Sequence, residues 1–381
     1  MKRVAIVGVY AALAAGSYVS PVHAFDWWDG RQASAPLGPG QVWLSVGGNG
    51  GVWHVPRVRA YGLYDFAGAT ADKLQDLDVG RVRITGAGMG SSFGYIFRDG
   101  TVPAWLGTKF RIGLHGAYRE GDSRTLHASA RNGTGASTPT LNLLGQSVGL
   151  GPSSLGGNSG SDLSVRLKSS SYELAARLAS DFAVTRNLTL APSIGVFGGS
   201  TSDRYRLDEI SFSGAANAFV TPNSIDARIH SRRIGGEFGM DATLQADSML
   251  AFHFGARIGL FHVRGALDAT DCVSASAFVG QGQTCPGGGQ VAFSSLSESR
   301  DAFGFRVGGS LGATLNMSFA TLGLGGFASF DNKTPGFRGP TAQGFNFAGG
   351  AAFGAEPARV VFGGHVSYGG YLNVRIALGG Q

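Results

Sequence analysis

The sequence predicts an all-β fold, a transmembrane antiparallel up-and-down β-barrel of about twelve strands, within a range of about ten to fourteen. Three observations carry that expectation. Segments that alternate apolar and polar residues with a period of two recur from residue 81 to residue 378. No apolar run beyond the N-terminus approaches the roughly 20 residues that a membrane helix needs. The turn-forming stretches between segments alternate between short and long.

The alternation is plainest in Leu250–Arg264. Leu250, Phe252, Phe254, Ala256, Ile258 and Leu260 fall on one face, and His253, Gly255, Arg257 and Gly259 on the other. In a soluble half-buried sheet the apolar face would be the core. In a membrane barrel it faces lipid, and the polar set lines a wet lumen. Composition favours the barrel: 63 of 381 residues are glycine without a collagen period, and 15 % are charged. Moderate hydrophobicity spread through alternating segments suits strands and not membrane helices.

Taken in order, Met1-Lys2-Arg3 and the apolar Val4–Ala15 lead to Val22-His23-Ala24, a small-residue cleavage site. Residues 1–24 therefore read as a secretory signal peptide, with Phe25 the first mature residue. Residues 25–40 read as an extended segment, and 41–381 as the barrel. Val42–Val46 alternates until the glycines at 47–51 interrupt it. Pro56 to Asp78 reads as the first surface loop, with a short helix at Ala71–Asp78. Strands are then expected around 81–90, 109–119, 172–184, 188–198, 233–245, 250–264, 303–317, 322–324, 345–353, 360–368 and 372–378. Short connections near 185–187, 246–248, 317–319 and 354–358 are expected in the periplasm. Long ones near 56–79, 121–168, 203–227, 269–299 and 332–343 are expected outside the cell.

In this arrangement the chain from Val42 to Leu378 resembles the bacterial outer-membrane β-barrel proteins of Gram-negative cells, in a porin-like form. Its last strand, Tyr371–Leu378, looks like the C-terminal strand of that class, but the chain ends Leu378-Gly-Gly-Gln381 and not on an aromatic residue. The resemblance implies residence in the cell outer membrane. The partners expected of such a barrel are outer-membrane lipid and lipopolysaccharide, the barrel-assembly machinery and small solutes. A homo-oligomer is compatible with the sequence. The formal charge of +6 is dispersed along the chain, which argues against nucleic acid.

The polar face carries the functional expectation. Arg81, Arg83, Lys109, Arg111, Arg119, Arg177, Arg233, Arg257, Arg306 and Arg375 are basic, and Glu173, Asp181, Glu237 and Asp241 acidic; His115 and His253 join them. Ten cations against four anions predict a lumen of positive potential, hence a passive channel favouring anionic or small polar solutes. The alternative is a barrel plugged by its own side chains that acts through extracellular loops, Asp203-Arg204-Tyr205-Arg206 among them. An outer-membrane hydrolase is the less favoured reading. His115, His253 and His365 fall on the lumen face, no His-Glu-x-x-His string is present, and no carboxylate/His cluster offers metal ligands. No cofactor is expected. Gly86-Ala87-Gly88-Met89-Gly90 lies in a strand pattern with no following helix, so it is not read as a phosphate loop. Cys272 and Cys285, with twelve residues between them in an exported chain, are expected to form a disulfide.

Overall fold

A computed structural model describes residues 40–67, 70–97, 109–132, 136–137, 140–149, 159–213, 219–273, 292–317, 320–346 and 351–378. The signal peptide (1–24), nearly all of the segment 25–40, and Cys285 lie outside these residues. Ten long strands carry the architecture: β1 (Val42–Ala67), β2 (Thr70–Ile96), β3 (Lys109–Ser123), β4 (Ser159–Ala183), β5 (Leu188–Ser213), β6 (Phe219–Gln245), β7 (Leu250–Val273), β8 (Ala292–Asn316), β9 (Thr321–Arg338) and β10 (Arg359–Leu378). Each pairs antiparallel with its sequence neighbours, and β10 returns to β1 through the register Val42↔Leu378 to His54↔Val366. The sheet thus closes on itself and has no free long edge. Ten is the lower end of the expected range. Shorter pieces such as Leu126–Asn132, Gly344–Asn346 and Ala351–Phe353 add to the sheet at its loop end.

Four stretches differ from the sequence reading. In 345–353, where one wall strand was expected, two short pieces, Gly344–Asn346 and Ala351–Phe353, pair antiparallel with each other in the connection between β9 and β10. Residues 360–368 and 372–378 are one strand, β10. It runs through Gly369 because a Cβ there would lie 1.9 Å from the Gly50 carbonyl oxygen of the neighbouring strand. Residues 56–67, 70–79, 203–213 and 219–227 are wall and not loop, and Ala71–Asp78 is strand and not helix. Pro56 cannot donate to a ladder, and the β1–β2 pairing slips between Val55 and Arg57. Past that bulge the two strands pair on to Ala67↔Thr70.

Strands of 24 to 27 residues are far longer than the roughly 9–11 that cross a bilayer. What the remainder does is read from exposure. In the half nearer the short turns, apolar side chains point outward and polar ones inward. In the half nearer the loops the polarity is reversed. Leu260 and Leu267 lie on the same strand, β7, yet Leu260 is 71 % exposed and Leu267 1 %. The lower half is therefore built for lipid and the upper half for water. In the upper half Val58, Leu77, Val82, Ile84, Leu163, Tyr205, Leu207, Ile229 and Phe337 fill the barrel interior as an ordinary hydrophobic core. Ile96 and Lys109, both at the turn end, are joined by twelve residues, a long connection in sequence. Strand extension beyond the apolar belt, more than loop length, is what distinguishes the two ends.

Candidate functional site

The lumen was the site expected from sequence. By register and burial, Lys109, Arg111, His115, Arg119, Glu173, Arg177, Asp181, Arg233, Glu237, Asp241, His253, Arg257, Arg306 and Arg375 all face inward. Arg81 and Arg83 do not. They are exposed on the outer wall, while Val82 and Ile84 between and beside them are 0 % exposed in the core. They lie where the polarity has already inverted, so their alternation was legible but its sense was opposite.

Strand pairing aligns the inward groups in layers. Nearest the turn end, Arg111 pairs with Asp181 at 2.7 Å, and the Arg375 guanidinium lies 5.0 Å from the centre of the Trp43 ring. One layer up, Asp241 and Arg257 stand 3.8 Å apart, and His253 is held between the hydroxyls of Thr243 (3.1 Å) and Thr314 (2.8 Å). Above these, Arg177 is ion-paired with Glu237.

The fourth layer spans the barrel. Glu173 on β4 accepts hydrogen bonds from Arg233 on β6 and from Arg306 on β8, the latter at 3.2 Å. Asp331 on β9 accepts from the same two arginines, at 2.9 Å from Arg233 and 3.0 Å from Arg306. Strands β4 and β9 are five apart in a ring of ten, so this box of two anions and two cations spans opposite walls. Arg306 also lies 4.6 Å from the centre of the Phe197 ring. Immediately above, Trp53, Arg119, Asp203, Arg233, Asp331 and His365 contribute to the lining of a cavity of about 20 Å³, roughly the room of one water.

Beyond it lies the hydrophobic core, and beyond that a stopper. Leu141 and Leu143 are fully buried in the mouth, the Leu143 N–H donates to Asp271 (2.6 Å), and its carbonyl accepts from Ala358 N–H (2.8 Å). The interior acids Asp203, Glu209, Asp271 and Asp331 are each 1–5 % exposed and were missed from sequence. Asp203, Glu209 and Asp271 sit past the polarity inversion. Asp331 follows the Gly325-Gly326 pair that obscures the period of β9. Of the inward groups named so far, with these acids counted and Arg81 and Arg83 removed, eight are cations and eight are anions; Arg300 and Glu298 on β8 and Lys333 in the cavity lining add inward charge of both signs. The ten-to-four excess read from sequence is not found among them.

Two strings, Gly90-Ser91-Ser92-Phe93-Gly94 and Gly308-Gly309-Ser310-Leu311-Gly312, have the spacing of a nucleophile elbow. Both lie in mid-strand, whereas the motif acts at a sharp strand-to-helix turn. Ser92 faces His115 across the β2–β3 ladder, but its hydroxyl makes no hydrogen bond in this structure. Cys272 is buried at the loop end of β7.

Asp203 stands above the apolar belt, flanked by the outward Ser202 and Arg204. Burial raises its carboxyl to about 6, against the opposing hydrogen bond from Ser169 and the charge of Arg119, and its Oδ1 has no hydrogen-bond partner. An acid raised in the fold binds its proton more tightly folded than unfolded. Stability is therefore lowest when Asp203 is ionised and is regained as pH falls from about 7 through 6 towards 4. Asp203→Asn is expected to stabilise the barrel at pH 7.5 by up to roughly 3 kcal/mol and to add little at pH 4.5. Urea midpoints of the two proteins at both pH values check this; equal effects at both would contradict it.

No protein-family model matches the chain, and no curated protein matches it. Among solved structures, the chain is similar to the outer membrane protease OmpT from Escherichia coli, with 8 % identity over 89 % of this chain and 97 % of that one, at a TM-score of 0.41. An outer membrane channel from Pseudomonas putida F1 matches with 9 % identity over 92 % and 99 %, at 0.27. The transport unit of the autotransporter AIDA-I from Escherichia coli matches with 8 % identity over 91 % and 92 %, also at 0.27.

Proposed function

We propose that this outer-membrane β-barrel is closed and works at its outward end, as a surface-binding barrel acting through extracellular loops. The observation that carries the reading is the box of Glu173, Asp331, Arg233 and Arg306, which spans opposite walls beneath a fully buried apolar core. A passive pore with a basic lumen needs a water path and a surplus of interior cations. The extensive pairing of interior cations with interior acids, and the charge box stacked beneath the apolar core, support neither. We assign no hydrolytic role, since the two serine strings lack a turn to present the nucleophile.

The refolded mature protein in a planar bilayer is expected to give no discrete openings, although its shifted mobility on unheated gels reports a folded barrel. Ohmic single-channel steps in that folded protein would overturn the proposal. Anion-selective steps would restore the basic-pore reading.

A further inference from the structure

The outer wall of β4–β7 presents three chemistries in succession along the strands. At the lowest level Leu178, Ile194, Phe238 and Ile258 stand side by side, followed one rung higher by Ala176, Val196, Gly236 and Leu260. The small residues leave an apolar groove of about 910 Å³ on the lipid face. Gly236 forms part of its floor, where an added Cβ would meet nothing closer than 3.8 Å.

Above the groove come two rungs of cations. Arg232 is directly opposite Arg264. Four residues further along, Lys168, Arg204 and Arg228 line up on three adjacent strands. The two rungs are about 13 Å apart along the strand. Arg204 is paired with Asp226. Lys168, Arg228, Arg232 and Arg264 are exposed and make no ion pair among the described residues. Arg228 has Asp268, and Arg264 has Asp301, directly opposite on the following strand, but the like charges that face one another within each rung still oppose the ladder. From the upper cation rung outward, a polar groove of about 400 Å³ is lined by Arg228, Asp226, Thr270, Ser295, Ser297 and Asp268, which stands directly opposite Arg228. Its carboxylates and hydroxyls are suited to sugar hydroxyls.

We propose that this wall is a binding site for one molecule of lipopolysaccharide. The acyl chain lies in the groove at Gly236. The phosphates lie on the Arg232–Arg264 and Lys168–Arg228 rungs, and the saccharide lies against Asp268 and its neighbours. The order of apolar, cationic and hydroxyl-rich surface matches the order of an amphiphile of the outer leaflet, and the guanidinium fork suits phosphate. The inference goes beyond the closed-barrel reading and stands whether or not the lumen conducts.

The test titrates folded protein in detergent with bisphosphorylated lipid A and lipopolysaccharide at fixed ionic strength, because exposed charges are screened by salt. Bound lipid is read by native mass spectrometry. Arg232→Gln with Arg264→Gln is expected to weaken binding at least tenfold. Gly236→Leu, which fills the groove and leaves every charge in place, is expected to weaken it severalfold. Arg81→Gln with Arg83→Gln, the same loss of charge on the far side of the ring, is expected to leave it unchanged. Equal weakening by both arginine pairs would mean unspecific charge attraction and overturn the site. So would an unaffected Gly236→Leu, displacement of the lipid by inorganic phosphate at equal phosphorus, or equal binding of phosphatidylglycerol. Shifted gel mobility of each variant separates a lost site from a lost fold.

Discussion

Glu173→Gln is expected to cost the folded barrel about 3–5 kcal/mol, because it strands buried charge without a partner. In the native box two anions balance two cations, and Glu173, Arg306 and Asp331 have side chains only 3–6 % exposed. Removing the Glu173 charge leaves Arg233 and Arg306 sharing Asp331 alone, an excess positive charge in the middle of the lumen. The outer-wall pairs provide the contrast. Arg166–Asp122 and Arg204–Asp226 are about half exposed, and neutralising either acid is expected to leave stability almost unchanged. Urea titrations followed by gel mobility and circular dichroism measure all three. Adding Arg306→Met to Glu173→Gln, which restores neutrality with an apolar side chain of similar length, is expected to recover most of the loss. A Glu173→Gln cost no larger than the surface pairs would show that the box is hydrated and the lumen open at that level.

The membrane half of this fold was legible because a single rule operates there. Leu250 to Leu260 spans eleven residues with apolar side chains at every even position, about the length a tilted strand needs to cross a bilayer. The same rule fails at His262. The strand continues for another eleven residues to Val273, but its outward positions become Arg264, Asp268 and Thr270 and its inward ones Val263, Leu267 and Ala269. Nothing in the local sequence changes period. Only the solvent outside the wall changes, and a period of two does not record which face meets it. Hence Asp203-Arg204-Tyr205-Arg206, with its strict alternation, read as loop, and Val82 and Ile84 read as lipid-facing when they are core. The charge balance failed for the same reason, since three of the four missed acids lie beyond the inversion.

That inversion bears on what the molecule can do. About half of each long strand stands in water, where an empty barrel would collapse or flood. The upper half is held by the same burial that holds a soluble protein, with Tyr61, Tyr205, Leu143 and Phe337 all 0–1 % exposed. On the surface-binding reading proposed above, a wall stiffened from within would carry its loops well above the headgroups. A diffusion channel would need that same space to be empty.

Phe337→Ala should therefore separate the two halves. Its ring lies 5.7 Å from the Tyr205 ring and is fully buried in the upper core, so truncation is expected to cost about 3–5 kcal/mol through lost burial and the cavity left behind. The loss should be local. Amides of β5, β9 and β10 near Tyr205, Phe337 and Val360 are expected to exchange faster. Those flanking Leu190, Leu324 and Leu372 in the membrane half should keep their protection, since their outward side chains stay in lipid and the charge box beneath the cavity is untouched. Bilayer recordings of this variant should remain silent for the same reason, because the plug that has been loosened is only the upper of two. Hydrogen exchange that accelerated evenly along the strands would mean the two halves unfold as one unit. Conducting steps in Phe337→Ala would mean that the apolar core alone had been blocking the lumen and that the Glu173–Asp331 layer passes ions. Silence with exchange confined to the upper half would assign closure to the charge box and rigidity of the outward platform to the core.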